Sequence, residues 1–341
     1  MILVTGGTGL VGSHLLYQLV SSDEHVKAIY RRAHKLDAVK KVFSYYTEDV
    51  EALFNRIEWV EADLNDVSAL SEAFKNISHV YHCAAFVSFE PDKYHQLRKI
   101  NIEGTANIVN LCVINHIKKL CYVSSIAAIG HELEAGKLIT EETPWNPEED
   151  HSVYAITKYG AEMEVWRGTQ EGVNAVIVNP GIILGPGFWR SGGSGSLINQ
   201  IYKGFPYYTN GTTAYVDVND VVKVMLELMK SDIKNESYII ISENLSFREF
   251  QIKVAKALGV NPAQKEATKL MLKVGWRLDW LRHTLLGKRR RLSKQMATSA
   301  ISKTVYDNSK LKQTLDFELI PLDDSIEKVC HFFMEDLKVV H

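Results

Sequence analysis

A short apolar run, Ile2-Leu3-Val4, passes straight into Gly6, Gly9 and Gly12, and then into Ser13-His-Leu-Leu-Tyr-Gln-Leu-Val20, whose apolar residues have helical spacing. An uninterrupted apolar run suits a parallel strand covered on both faces, and the i, i+3, i+4 pattern suits a helix packed on it. Glycines between the two allow a tight bend, a close backbone approach to a pyrophosphate, and close packing of helix on strand. The pyrophosphate would lie on the helix N-terminus, where free amides and the dipole favour an anion. A chain that begins this way is constrained to an α/β fold in which that turn sits at the edge of a sheet.

The segments that follow alternate strand and helix, as a doubly wound parallel sheet requires. Strands are predicted at 25–30, 57–62, 79–85 and 120–125. The second ends on Arg31-Arg32, where an acidic residue would accept from the ribose of NAD and an arginine pairs with the extra phosphate of NADP. NADP is therefore the expected cofactor, with NAD possible. Asp63 and Leu64 follow the third strand. There a carboxylate can accept from an adenine amino group or stand near a helix N-terminus. The small residues Ala84 and Ala85 end the next strand, and Asn101 opens a helix running to about 116.

The strand ending in Ser124-Ser125 precedes a helix that begins near Ser152 and carries Tyr154 and Lys158, four apart and so on one face. A phenol titrates near ~10 in water, and a neighbouring ammonium lowers that value into a range useful for proton exchange. A serine hydroxyl beside the same substrate oxygen would complete the group. Taken in order, Thr5-Gly-Gly-Thr-Gly-Leu-Val-Gly12, Asp63-Leu64, Ala84-Ala85, Asn101-x-x-Gly104-Thr105, Ser124-Ser125, Tyr154-x-x-x-Lys158 and Asn179-Pro-Gly181 resemble the extended short-chain dehydrogenase/reductases, the NAD-dependent epimerase/dehydratase group. The resemblance covers the first ~185 residues.

It implies that Ser125, Tyr154 and Lys158 are catalytic. It further implies that Gly6, Gly9, Leu10, Val11, Gly12, Arg31, Asp63, Leu64, Ala84, Ala85, Asn101, Lys158 and Pro180 hold the dinucleotide. Arg31, the Asn-x-x-Gly-Thr-x-Asn run at 101–107 and the run at 179–186 look like the dihydroflavonol-reductase and 3β-hydroxysteroid-dehydrogenase branch. Nucleotide-sugar epimerases typically carry an acid at the second strand end and an arginine where this chain has Thr213. Gly130 stands where plant dihydroflavonol reductases place an asparagine, so a flavonoid substrate is not implied.

The fold expected is a Rossmann-like doubly wound sheet with a smaller, mainly helical C-terminal substrate domain. Residues 1–185 make the dinucleotide-binding domain, with 214–242 and 306–341 returning to it. Residues 186–213 and 243–305 make the substrate domain. Asp217, Asn219 or Asp220 is expected to cap the helix after 216, and Ser246 to open another with a capping box. Ser191–Ser196 is flexible enough for a lid, and Phe188, Trp189, Phe205, Tyr207, Tyr208 and Trp276 belong to a pocket or to the small-domain core.

At 341 residues, 46% hydrophobic and 23% charged, the chain has the composition of a globular protein, and a net charge of -2 gives no general attraction to nucleic acid or to an anionic membrane. Cys83, Cys112, Cys121 and Cys330 have no metal-ligand spacing and are expected as reduced core residues of a cytoplasmic protein. The glycine turn begins at residue 5, leaving no room for a signal peptide, and no apolar run approaches a spanning helix. The basic amphipathic stretch 265–295 is expected as a solvated face, with contact with a membrane surface or an anionic substrate tail as the sharper alternative. The expected activity is hydride transfer between NADP(H) and a carbonyl or secondary alcohol of a small, apolar molecule, by a homodimer or monomer. An NAD-dependent nucleotide-sugar epimerase or dehydratase is the alternative, and a non-catalytic redox-sensing module is disfavoured by the intact serine, tyrosine and lysine.

Overall fold

The computed structural model describes residues 1–130, 137–190, 193–288, 290, 292–316 and 318–339. Twelve strands occur in them: β1 Ile2–Thr5, β2 Val26–Tyr30, β3 Ile57–Glu61, β4 His79–His82, β5 Lys119–Val123, β6 Ala175–Pro180, β7 Ile182–Leu184, β8 Tyr207–Tyr208, β9 Thr212–Asp217, β10 Glu236–Ile240, β11 Glu243–Ser246 and β12 Lys265–Glu266. Seven form one sheet in the order β10-β6-β5-β4-β1-β2-β3. All its pairings are parallel. The order reverses between β1 and β4, and in open α/β sheets that crevice is where ligands bind.

Each face of the sheet is covered by helices, which is why its central strands are apolar almost throughout. One core joins Val4, Ala28 and Val176 to helix Leu10–Ser21 and helix Val218–Lys230 through Leu15, Leu19, Val221 and Met225. The other joins Leu3, Val80 and Leu120 to helices Gly104–Ile114 and Val153–Gln170 through Ile108, Cys112, Ala161 and Val165. The four cysteines are free thiols, and burial raises the pKa of each.

Two predicted strands are shorter than expected. β4 ends at His82 and β5 at Val123, so Cys83–Ala85 and Ser124-Ser125 lie beyond the ladder, at the sheet's C-terminal edge. Asn101 does not open a helix. It is buried within a π-helical segment, Arg98–Glu103, that runs into the next helix.

The return of the chain to the large sheet also differs from expectation. β9 leaves it and forms a second sheet with β7 and β11; the helix from Val218 and strand β10 go back, and Leu311, after residue 306, joins the first core. The last helix, Leu322–Val339, buries Ile326, Val329 and Phe333 with Phe250, Val254 and Ile198 rather than in either core of the large sheet. The caps hold as expected: Asp217 accepts from Asn219 N, and Ser246 makes a capping box with Glu249. Of the lid segment, residues 193–196 begin helix Gly193–Tyr202, whereas 191 and 192 lie outside the described residues. Trp189 packs edge-on against Phe333 in the small core, while Phe205 is exposed.

Candidate active site

The glycine turn sits at the reversal point. Gly6 has φ +70°, and a Cβ there would come within 2.5 Å of Ala84 N. At Gly12 a Cβ would come within 2.2 Å of Gly6 O. The turn is thus folded against both β4's end and its own helix, with no space for a side chain at Gly6 or Gly12. Gly9 is the N-cap of helix Leu10–Ser21 and supplies no side-chain cap, which leaves first-turn amides for a ligand. These glycines form a cradle that fits the pyrophosphate of a dinucleotide.

Leu10 and Val11 stand in the first turn, where Val11 packs against the core. A Gly6→Ala variant should lose dinucleotide binding or fold poorly, since the left-handed backbone and the clash with Ala84 act together. A melting curve with and without NADPH separates the two outcomes.

A cleft of about 160 Å³ runs from this turn across the strand ends. Gly6, Gly9, Arg31, Asp63, Leu64, Ala84 and Ala85 line it, joined by Thr8, Arg32, Lys35, Cys83 and Ile100. Seven residues expected to hold the dinucleotide are therefore brought together. Arg31 reaches across to Asp63 at 3.4 Å, with the side chains 51% and 43% exposed. Asp63 also accepts from Asn65 N at 2.9 Å, and its pKa is lowered although partial burial opposes that. Lys35 was not foreseen; it comes within the cleft because Ala33–Lys35 folds as a turn of 3₁₀ helix directly after the two arginines.

Behind the turn, a buried hydroxyl–imidazole chain fixes the strand ends. His82 Nδ1 lies 2.6 Å from Thr5 Oγ1 and its Nε2 2.9 Å from Thr105 Oγ1. Burial lowers the His82 pKa to about 3, so the ring stays neutral and bridges two hydroxyls. Ala84 N donates to Thr5 Oγ1, which holds the Cys83–Ala85 backbone against the cleft.

Ser152 caps helix Val153–Gln170 by accepting from Ala155 N, and the helix carries Tyr154 and Lys158 to the ends of β5 and β6. Burial pushes the Tyr154 phenol up to about 12, while Ser125, close by, pulls it down. Phe89, from the loop after β4, packs edge-on against the Tyr154 ring at 5.3 Å between centroids. Lys158 is buried, and its ammonium donates to Tyr122 Oη and Val123 O, both at 2.8 Å. Burial lowers its pKa to about 7, with the carboxylate of Glu162 opposing the shift.

Six residues expected to hold the dinucleotide, Leu10, Val11, Gly12, Asn101, Lys158 and Pro180, do not line the cleft, and neither do Ser125 and Tyr154. Asn101 accepts from Phe86 N at 2.7 Å and donates to Phe86 O and Thr157 Oγ1. It ties the loop after β4 to the tyrosine helix. Pro180 ends β6, and Asn179 beside it donates to Ser125 O at 3.2 Å.

Sequence reasoning missed Glu162. It accepts from Ser124 Oγ at 2.6 Å, Asn179 Nδ2 at 3.0 Å and Trp166 Nε1 at 3.4 Å. Burial raises its carboxyl pKa in spite of those donors and Lys158. The available signal was position: Glu162 continues the i, i+4 row from Tyr154 through Lys158. Gly130 also gains a reason, since a Cβ there would sit 1.8 Å from Pro144 O, and no side chain fits.

Comparison with known proteins gives the family. The NAD dependent epimerase/dehydratase family matches residues 2–240. A putative dihydroflavonol 4-reductase of Synechocystis is 26% identical, covering 97% of this chain and 93% of its own length. A 3beta-hydroxysteroid-dehydrogenase/decarboxylase of Arabidopsis thaliana is 24% identical over 97% of this chain and 79% of its own. Among solved structures, that of gox2253 superposes with a TM-score of 0.81 at 24% identity, with 98% of each chain covered. The UDP-glucose 4-epimerase of Thermotoga maritima with UDP-glucose gives 0.76 at 19% identity, covering 98% of this chain and 99% of that one. At those identities the two structures speak for the fold. The family match over most of the chain shows that the protein belongs to the NAD-dependent epimerase/dehydratase family, the extended short-chain dehydrogenase/reductases, and is an NAD(P)-dependent oxidoreductase.

Proposed function

We propose that the protein is an NADP(H)-dependent oxidoreductase acting on a carbonyl or secondary alcohol of a small apolar substrate, with Ser125, Tyr154 and Lys158 handling the proton. The observation that carries this reading is Tyr154 standing one helical turn before buried Lys158 on helix Val153–Gln170, with Ser125 close enough to the phenol to lower its pKa. When bound, the nicotinamide supplies or takes the hydride. Tyr154, with its pKa near about 12, is protonated at neutral pH, so it acts as an acid toward a carbonyl oxygen. Ser125 orients that oxygen, and the charge of Lys158 eases formation of the phenolate.

In this reading, residues 1–185 hold the dinucleotide and residues 186–213 and 243–305 face the substrate. Relatives named for dihydroflavonol, sterol and 3beta-hydroxysteroid support an apolar substrate.

The NADP preference rests on Arg31, Arg32 and Lys35, three cations at one end of the cleft. Exposed ion pairs such as Arg31–Asp63 contribute roughly 0–1 kcal/mol, so a ribose phosphate can compete for the guanidinium. An Arg31→Ala/Arg32→Ala variant should weaken NADPH binding by roughly tenfold or more, through lost charge-assisted hydrogen bonds, and leave NADH binding near wild type. Titration of both cofactors checks this; equal losses would remove the preference.

A nucleotide-sugar reading draws on a UDP-glucose 4-epimerase of Vibrio cholerae, 28% identical over 66% of this chain and 65% of its own length. It predicts NAD that co-purifies and turnover with no net change in NADPH absorbance. Thr213, on β9, lacks the arginine charge that would meet a diphosphate. A panel of ketones, aldehydes and sterols against a nucleotide sugar decides between them.

A further inference from the structure

Helix Lys269–Leu286 buries only Leu272. At 3.6 residues per turn, Leu270, Leu281, Val274, Leu285, Leu278 and Met271 fall, in that angular order, within an arc of about 100°. All six are exposed, Leu270 and Leu285 to 71% and Leu278 to 60%. One exposed leucine is ordinary on a globular surface, but an unbroken apolar strip about 22 Å long on one helix face marks a contact surface.

The charges around the strip are of one sign. Lys269, Lys273 and Arg277 run along one border, and Lys288 follows the helix end. Lys269 and Lys273 make no ion pair among the described residues. The sequence continues through 289–291 with three more arginines, of which 289 and 291 lie outside the described residues. Asp279 is the helix's one acid. Its side chain is 11% exposed and is engaged with Arg282 and with Leu292 N, so the outer face offers no carboxylate. A second copy docked through this face would bring no countercharge, and an antiparallel pair would set the basic borders together. Anionic lipid headgroups supply the missing charge, and the acyl boundary takes the leucines.

We propose that helix Lys269–Leu286 is an interfacial anchor lying flat on an anionic phospholipid surface. No helix among the described residues is long and apolar enough to cross a membrane, so the contact is peripheral. The anchor leads into helix Lys294–Ser299, where Lys294 pairs with Asp150 at 2.6 Å, two residues before the Ser152 cap of the tyrosine helix. Docking therefore places the lipid surface one short helix away from the loop that leads to Tyr154. The proposal does not depend on the cofactor or substrate assignment.

Flotation of the full-length protein with phosphatidylcholine vesicles, with and without phosphatidylserine, tests it. At low salt the protein should float with the anionic vesicles and at least about tenfold less with the neutral ones. The Leu278→Glu/Leu281→Glu variant changes exposed residues only, and should lose flotation at least about tenfold with an unchanged melting temperature. Lys269→Glu/Lys273→Glu should weaken binding to the anionic vesicles while preserving the fold. Wild-type protein that stays at the bottom with anionic vesicles overturns the anchor, as does flotation that survives both charge insertions. A dimer abolished by those insertions, without vesicle binding, also overturns it and makes the face a contact between copies.

Discussion

Replacing Tyr154 by phenylalanine is expected to lower kcat for carbonyl reduction by about 10²–10⁴-fold, the usual contribution of a positioned general acid. The ring keeps its packing against Phe89, so the fold and NADPH binding should remain near wild type. Only the hydroxyl, whose pKa Ser125 lowers, is removed. Steady-state rates with NADPH, together with the cofactor-induced rise in melting temperature, separate the two quantities. Full activity in Y154F would refute the assigned chemistry while leaving the dinucleotide cleft intact.

The second large effect is expected at Glu162. Glu162→Ala strands Ser124 Oγ and Trp166 Nε1 and takes one acceptor from Asn179 Nδ2. Breaking a buried charged network from one side costs about 3–5 kcal/mol, a shift that denaturant melts resolve.

Glu162→Gln is the more informative variant, because it keeps an acceptor for Ser124 while removing the charge. Lys158 has its pKa lowered to about 7 by burial, and Glu162 is the largest influence raising it. Without that carboxylate the Lys158 value falls further. The ammonium is then lost at a lower pH, and the alkaline limb of kcat/KM should move to lower pH in E162Q.

The stability effect has a defined sign. A buried lysine whose folded pKa lies below its unfolded value costs stability fully below the folded value, and the cost fades as pH rises toward the unfolded pKa. Losing the Glu162 charge extends that fading range downward from about 7. An unmoved alkaline limb would reduce Glu162 to a purely structural link between the tyrosine helix and the ends of β5 and β6.

Much of the site was legible because short-range chemistry wrote it. Gly6 and Gly12 can be read as a ligand-holding turn since a strand, three glycines and a helix leave few other uses for that spacing. Tyr154 and Lys158 share a face because helical periodicity requires it. Asn101 was misread as a helix opener, since its role is set by Phe86 and Thr157, which are distant in sequence. Lys158 was expected to act on Tyr154. Not legible was that its ammonium donates to Tyr122 and Val123, because a buried cation must satisfy its own donors.

The alternation of strands and helices fixed a doubly wound sheet, because periodicity decides which face each segment buries. The glycine spacing fixed where the first strand bends into its helix. Three further facts came only from tertiary structure: that β9 leaves the large sheet for β7 and β11, that the last helix docks on Phe250 and Val254, and that Arg31 meets Asp63. Each is a choice of partner among residues far apart along the chain. Apolar and charged side chains state a need for burial or countercharge without naming who meets it, and only packing in three dimensions selects the partner.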